Sequence, residues 1–314
     1  MSLSGHFWTV WPVVRHRVRP WTAPDSEPWS TTLHDPEVGE VCLTGRLTRA
    51  DPKRLLVLLH GLGGCHDSPY QHRAGEVAAE HGLSTLRLEM RGSDRRGADL
   101  YHAGLSSDVG VALASPELRS FESVYLLGFS LGGHLALHYA TGEVDPRLRA
   151  VAAVSSPLDL EATVTRFDEP GRALYQRHVL RGLKDLYRAV AARREMPVPL
   201  ERVLRVRGLR EWDEVTVVPR FGFGDTATYY ATASVGPRLS ELKRPALLVA
   251  GGGDPMVTAD SVRRRVHRRR RRRLLRTAPP YTRSAFRPFP RGRRVGRRRR
   301  SVRIRAACSS YGSR

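Results

Sequence analysis

The chain has 314 residues, of which 40% are apolar, and a formal net charge of +22. That length holds one large α/β domain or two small ones around a sizeable core. A collagen-like, disulfide-scaffold or wholly disordered chain is excluded. Cys42, Cys65 and Cys308 are an odd number without metal-ligand spacing; they fit a reducing compartment, so a cytoplasmic location is expected.

In chain order, residues 1–39 read as an N-terminal arm packed on the body. It carries Trp8, Trp11, Trp21 and Trp29, and the other reading of these residues is contact with a lipid interface. No basic cluster precedes an apolar stretch there, so no secretory signal is expected. The longest aliphatic run, Leu55 to Leu59, is far short of the roughly 18 residues a membrane span needs. From Glu40 to Asp254, short aliphatic runs, glycine-rich turns and helical patterns alternate, which predicts an α/β domain with a doubly wound, mostly parallel sheet. Strands are expected at 40–47, 55–59, 84–89, 123–127, 150–155 and 246–250, and helices at 71–80, 107–114 and 131–139. Residues of about 160–236 are too many for a simple crossover and read as a helical cap inserted in a domain spanning 40–262.

Three motifs carry chemistry. Gly128-Phe129-Ser130-Leu131-Gly132 follows a predicted strand and opens a predicted helix. In that setting Gly-x-Ser-x-Gly reads as a nucleophile elbow, a tight turn that exposes the serine and that needs flanking glycines to avoid neighbouring chain. His60-Gly61-Leu62-Gly63-Gly64 follows the strand at 55–59. A serine-based acyl transfer needs two amide donors for its oxyanion, and the candidates are Leu62 and Leu131, with His60 bracing the loop. Asp254, in Gly251-Gly252-Gly253-Asp254-Pro255 after the last predicted strand, is the candidate acid for orienting an imidazole; Asp159 is the alternative, with helix capping as its other role.

These motifs, with Gly5-His6-Phe7-Trp8-Thr9-Val10, Ser68-Pro69-Tyr70, Met90-Arg91-Gly92, Tyr101-His102-Ala103-Gly104, Ser156-Pro157-Leu158-Asp159, Phe221-Gly222-Phe223 and Tyr229-Tyr230, resemble the YheT-like esterase branch of the α/β-hydrolase superfamily. The resemblance extends from Gly5 to Val262. It implies the α/β-hydrolase fold, a cap over a Ser-Asp-His site, serine ester hydrolysis and lipophilic acyl substrates. No cofactor or metal is expected.

The family places its histidine on a loop beyond a final strand, a few tens of residues past the aspartate. Here the only histidine after Asp254 is His267, thirteen residues on and inside an arginine run, and it reads as a bystander. His134 and His138, one turn apart on the helix behind Ser130, read as packing residues. Residues 263–314 hold 22 Arg and no Lys, Asp or Glu, leaving 31 basic and 31 acidic residues for the first 262. That composition reads as GC-rich coding DNA translated out of frame. The alternative is a genuine basic tail, with Arg268–Arg273 and Arg297–Arg300 on nucleic-acid phosphates. Either way the tail is expected to be largely disordered, and loss of the last strand and helix is expected to strip cover from the sheet edge and lower solubility. Two functions follow: an ester-cleaving serine hydrolase acting on small molecules, impaired for want of its histidine, or an inactive hydrolase-fold binding protein with a nucleic-acid-associating tail.

Overall fold

The computed structural model describes residue 11 and residues 14–251, 253–267 and 274–278. Its strands are β1 (Glu27–Asp35), β2 (Gly39–Thr48), β3 (Arg54–Leu59), β4 (Ser84–Leu88), β5 (Ser123–Phe129), β6 (Leu148–Val154), β7 (Ala246–Gly251) and β8 (Leu274–Ala278). They form one sheet in the order β1-β2-β4-β3-β5-β6-β7-β8. The β1–β2 and β2–β4 pairs are antiparallel, and every pair from β4 to β8 is parallel. All six predicted strands are present with ends shifted by one or two residues. The predicted helices are α1 (Pro69–Glu80), α2 (Ser107–Ala114) and α3 (Leu131–Tyr139).

Two regions differ from the sequence reading. Residues 27–39 are not arm: Glu27–Asp35 pairs along its whole length with β2, and Gly39, at φ 77°, turns the chain between them. The composition change at Arg263 does not end the structure either. Helix α10 (Ala259–His267) runs across it with Val257, Ala259 and Val262 buried, and β8 pairs in parallel with β7. Without β8, β7 would present an open row of backbone N–H and C=O groups. Residues 279–314 lie outside the described residues.

Between β6 and β7 the chain is helical. Asp159 caps α4 (Leu160–Phe167) by accepting the Ala162 N–H, so its capping role is the one realised. Helix α5 (Ala173–Ala191) buries Leu180, Leu183, Leu186, Tyr187 and Val190, an apolar stripe at helical spacing. Four shorter helices follow: α6 (Leu200–Leu204), α7 (Leu209–Trp212), α8 (Val218–Phe221) and α9 (Thr226–Ala233).

Cover over the sheet is uneven. All five residues of β4 are buried, as expected of a parallel strand between two helical layers. On β5, β6 and β7 the face holding Tyr125, Leu127, Ala150, Ala152, Leu247 and Val249 stays partly exposed, Leu247 at 37%. These residues are aligned across the strands, so they make one contiguous apolar patch. The sequence reading expects the sheet edge to lose its last strand; instead β8 lies along β7 and the apolar patch is on the sheet face, and patches of this kind promote association.

Two buried arginines hold the insertion to the sheet. Arg91 contacts Asp35 at 2.7 Å, Asp99 at 2.9 Å and Asp108 at 2.7 Å; Arg220, in α8, contacts Asp99 at 2.7 Å and Glu37 at 2.7 Å. Asp99 is fully buried between the two guanidinium groups. Burial works against the Asp35 carboxyl being charged, yet the bond from Arg91, the amides of Glu37 and Val38 and the charge of Arg220 together outweigh it and hold the carboxyl down at about 2.

A second buried carboxylate behaves oppositely. Burial pushes Asp213 up to about 7, although Tyr230 donates its hydroxyl to it at 2.7 Å. Because this folded-state value lies above the ordinary one near 3.9, the protonated form stabilises the fold fully below about pH 4 and that contribution is lost as pH rises through 7. Asp213→Asn keeps an acceptor for Tyr230 and removes the ionisation. It is expected to gain about 1–3 kcal/mol at pH 8 and far less at pH 5, read by thermal unfolding at the two values. Equal changes at both pH values would contradict this account.

Candidate active site

Ser130 sits where β5 stops and α3 begins. Its backbone lies at φ 51°, ψ −120°, a conformation that a non-glycine residue adopts only under constraint, and its side chain makes no capping bond to the helix. Neighbouring chain makes the turn this tight. A β-carbon on Gly128 would overlap the Gly132 carbonyl, and one on Gly132 would overlap the carbonyl oxygens of Leu59 and His60. Helix α3 thus packs directly on the end of β3, and the turn has no room for side chains at either glycine.

The loop after β3 is brought against the same serine. A β-carbon on Gly61 would lie 3.3 Å from that of Ser130. The amide of Gly61 donates to the Tyr70 hydroxyl at 2.9 Å, that of Gly63 to the Tyr101 hydroxyl at 2.9 Å, and that of Gly64 to the Gly61 carbonyl at 3.0 Å. Gly63, at φ 70°, reverses the chain there. Between these fixed amides, the Leu62 N–H donates to no group among the described residues, and neither does that of Leu131 at the first turn of α3. Helix α5 closes over this loop: a β-carbon on Gly63 would lie 3.0 Å from the Val179 carbonyl, and one on Gly182 would lie 2.6 Å from that of Gly63.

His60 has the bracing role expected of it. It is fully buried, with Nδ1 2.8 Å from the Gly61 carbonyl and Nε2 accepting the Met90 amide at 3.1 Å. Beside it, burial disfavours a charged Glu89, but the neighbouring His60 and His66 and the bond from Ser93 together outweigh burial and hold its carboxyl well below the usual range.

Asp254 stands in the turn after β7. Its Oδ1 accepts the amides of Met256 and Val257, both at 2.9 Å, while Oδ2 has no partner among the described residues. Ser130 and Asp254 therefore share the carboxyl edge of the sheet, with β6 between their strands, where open α/β sheets place their ligands. Asp159 points its other oxygen to Arg265 of α10.

No histidine among the described residues bonds to Ser130 or Asp254. His134 is fully buried between the carbonyls of Pro157 and Ala233, both at 2.8 Å. His138 bonds to Ser106 at 2.8 Å and to Arg238 at 2.9 Å, and burial lowers it to about 4. His102 stacks among Phe221, Phe223 and Tyr229, and burial lowers it to about 3, so it is neutral at pH 7. The His267 side chain lies outside the described residues. Among those residues no cluster of His, Cys, Asp and Glu is placed to hold a metal ion.

Several contributors escape sequence reading. Tyr70 and Tyr101 pin the loop, yet nothing in their local sequence says that a hydroxyl faces a glycine amide. Arg220 meets Asp99 from 121 residues away. A cavity of about 690 Å³ behind the loop, lined by Trp29, Thr44, Gly63, Cys65, Glu89 and Leu186, does not include Ser130 in its walls.

Comparison with known proteins places this architecture. The profile of the alpha/beta hydrolase fold matches residues 54–281. The chain is 30% identical over 241 residues to YheT of Escherichia coli K12, which is named as an esterase, covering 72% of this chain and 68% of that protein. It is 24% identical over 231 residues to the monoacylglycerol lipase of Saccharomyces cerevisiae, covering 68% of this chain but only 51% of the yeast protein. Among solved structures, the Pyrococcus furiosus esterase Pf2001 superposes with a TM-score of 0.52 at 17% identity, covering 81% of this chain and 84% of that one, which speaks to the fold alone. The chain is a YheT-like member of the α/β-hydrolase family.

Proposed function

We propose that this chain cleaves carboxylic esters of lipophilic acids through an acyl-enzyme at Ser130. The observation that carries the reading is the strained backbone of Ser130 with the Gly61 loop against it, the amides of Leu62 and Leu131 having no acceptor among the described residues. The Ser130 hydroxyl oxygen attacks the ester carbonyl carbon. Its proton leaves with the alcohol, the two amides hold the oxyanion, and water then releases the acid. Asp254 offers Oδ2 to orient an imidazole that carries the proton. No described histidine takes that place, so the chain as written is an impaired catalyst. In serine hydrolases, loss of the histidine costs about 10⁶-fold in kcat, and the oxyanion site with binding retains about 10³ to 10⁴ over water. The name of the yeast relative supports lipophilic acyl groups, and the cysteine pattern supports a reducing compartment.

The test is turnover of p-nitrophenyl butyrate by this chain and by one whose residues after 262 are replaced by another reading frame of the gene. If one frame carries a Gly-His motif followed by an amphipathic helix, its product is expected to turn over about 10⁴ to 10⁶ times faster, and Ser130→Ala to abolish the gain. Absence of such a motif from every frame favours the second reading, an inactive binding protein. The basic clusters that would bring nucleic acid to it, Arg268–Arg273 and Arg297–Arg300, lie outside the described residues.

A further inference from the structure

The N-terminal arm is asymmetric. Residues 14–18 are helical, closed by the Arg19 amide on the Arg15 carbonyl at 2.7 Å, and Trp11 is also helical. One side of this turn holds it to the body. His16 packs 5.7 Å from the Trp21 ring and 5.6 Å from that of His72 in α1, and it accepts the Trp21 amide at 3.0 Å. The Arg15 guanidinium lies 4.5 Å over the Trp21 ring, and Pro24 meets Gly75 of α1.

The other side is apolar and faces solvent. Trp11 is 39% exposed, Val14 42% and Val18 82%. At 100° per residue Val14 and Val18 lie within about 40° of each other, with Arg15 and Arg19 on one flank and Arg17 on the other. No acidic residue occurs before Asp25. Exposed valines flanked by arginines, on a helical turn anchored to the body by its opposite side, have the chemistry of an interfacial element: apolar groups enter the acyl boundary while guanidinium groups meet phosphates.

We propose that this arm docks the protein on an anionic phospholipid surface, with Val14 and Val18 entering the bilayer boundary and Arg17 and Arg19 on lipid phosphates. The anchoring through His16, Trp21 and His72 fixes which face meets the lipid. A partner protein with an acidic groove is the competing occupant. The exposure of Val18 on a convex turn favours a fluid surface, which needs no complementary pocket. The proposal concerns binding and is independent of whether Ser130 reacts.

The test is sedimentation of the full chain with phosphatidylcholine–phosphatidylglycerol vesicles in about 0.5 M salt. There the Debye length falls to about 4 Å, which suppresses the charge of the arginine-rich segment. Val14→Glu with Val18→Glu is expected to lower the vesicle-bound to free ratio about tenfold, whereas Leu174→Glu, at a residue 77% exposed at the start of α5, leaves it unchanged. Both valines are exposed, so the variant keeps its fold, checked by an unchanged unfolding temperature. Failure of the unmodified chain to sediment, an unchanged ratio in the double variant, or an equal loss in Leu174→Glu would each overturn the proposal.

Discussion

Gly132→Ala is expected to destabilise the protein by about 3 kcal/mol or more and to remove any reaction at Ser130. A methyl group there has no rotamer to relieve it, because what it meets is backbone on both sides, the carbonyl oxygens of Leu59 and His60. Overpacking in a close-packed interior costs about 1–3 kcal/mol when side chains can move; here β3 and α3 have to separate instead. Separation shifts Leu131 at the start of α3 relative to Leu62 on the loop, so stability and reactivity should fall together. Gly142→Ala is the control. The nearest atom to its added carbon is the Tyr139 carbonyl oxygen at 3.8 Å, and its effect should stay within about 0.5 kcal/mol. Urea titration of both variants gives the comparison. A Gly132→Ala protein with unchanged midpoint would mean that the turn is looser than described.

Arg220→Ala is the second large effect, expected at about 3–5 kcal/mol. The loss comes less from the contacts removed than from what they leave behind. Asp99 is fully buried, and without Arg220 it shares a single guanidinium with Asp35 and Asp108. Unpaired buried charge is the expensive outcome, whereas the pair itself contributes little net stability. Since Arg220 also joins the insertion to β1 through Asp35 and Glu37, the damage should be greatest at that contact, with faster amide exchange in α8 than in β3 to β6. Arg220→Lys keeps the charge but not the fork that spans both Asp99 oxygens, so it should recover only part of the loss. Thermal unfolding of the three proteins decides the matter. An Arg220→Ala unfolding temperature within a degree or two of the parent would contradict it, since about 3 kcal/mol in a protein of this size is worth roughly 6–12 °C.

Much of the sheet and the serine turn were legible because their signals are local. A continuous aliphatic run ending in glycine, as at Leu55 to Gly61, reads as a buried strand and the turn after it. The first strand was hidden because Glu27–Asp35 carries Ser30, Thr32 and His34 on its outward face and lies among prolines and tryptophans. Only the alternation of Trp29, Thr31 and Leu33 marks it. The last strand, Leu274–Ala278, follows a run of arginines that reads as solvated chain, and only its partner β7 makes a strand of it. At the site, Ser130, Leu62 and Leu131 were placed by motif. Tyr70, Arg91 and Tyr101 stand in the family motifs, but their roles, like that of Arg220, were not legible, because they depend on partners brought together by folding: Gly63 is 38 residues from Tyr101 and Asp99 is 121 from Arg220. Asp159 shows how a motif aspartate at the end of a strand is settled by geometry, since its bond to the Ala162 amide makes it a helix cap.

The central claim is that the half-buried Ser130 hydroxyl meets an electrophile beside the amides of Leu62 and Leu131, which have no acceptor among the described residues. It is tested most directly by treating the folded chain, with its residues after 262 restored in the reading frame that carries a Gly-His motif, and the Ser130→Ala variant of that chain with a fluorophosphonate probe and locating the adduct by peptide mass spectrometry. A single adduct on the peptide containing Ser130, absent from the variant and from heat-unfolded protein, is the expected result. No adduct on the folded chain, or equal labelling of the Ser130→Ala variant, would contradict the account.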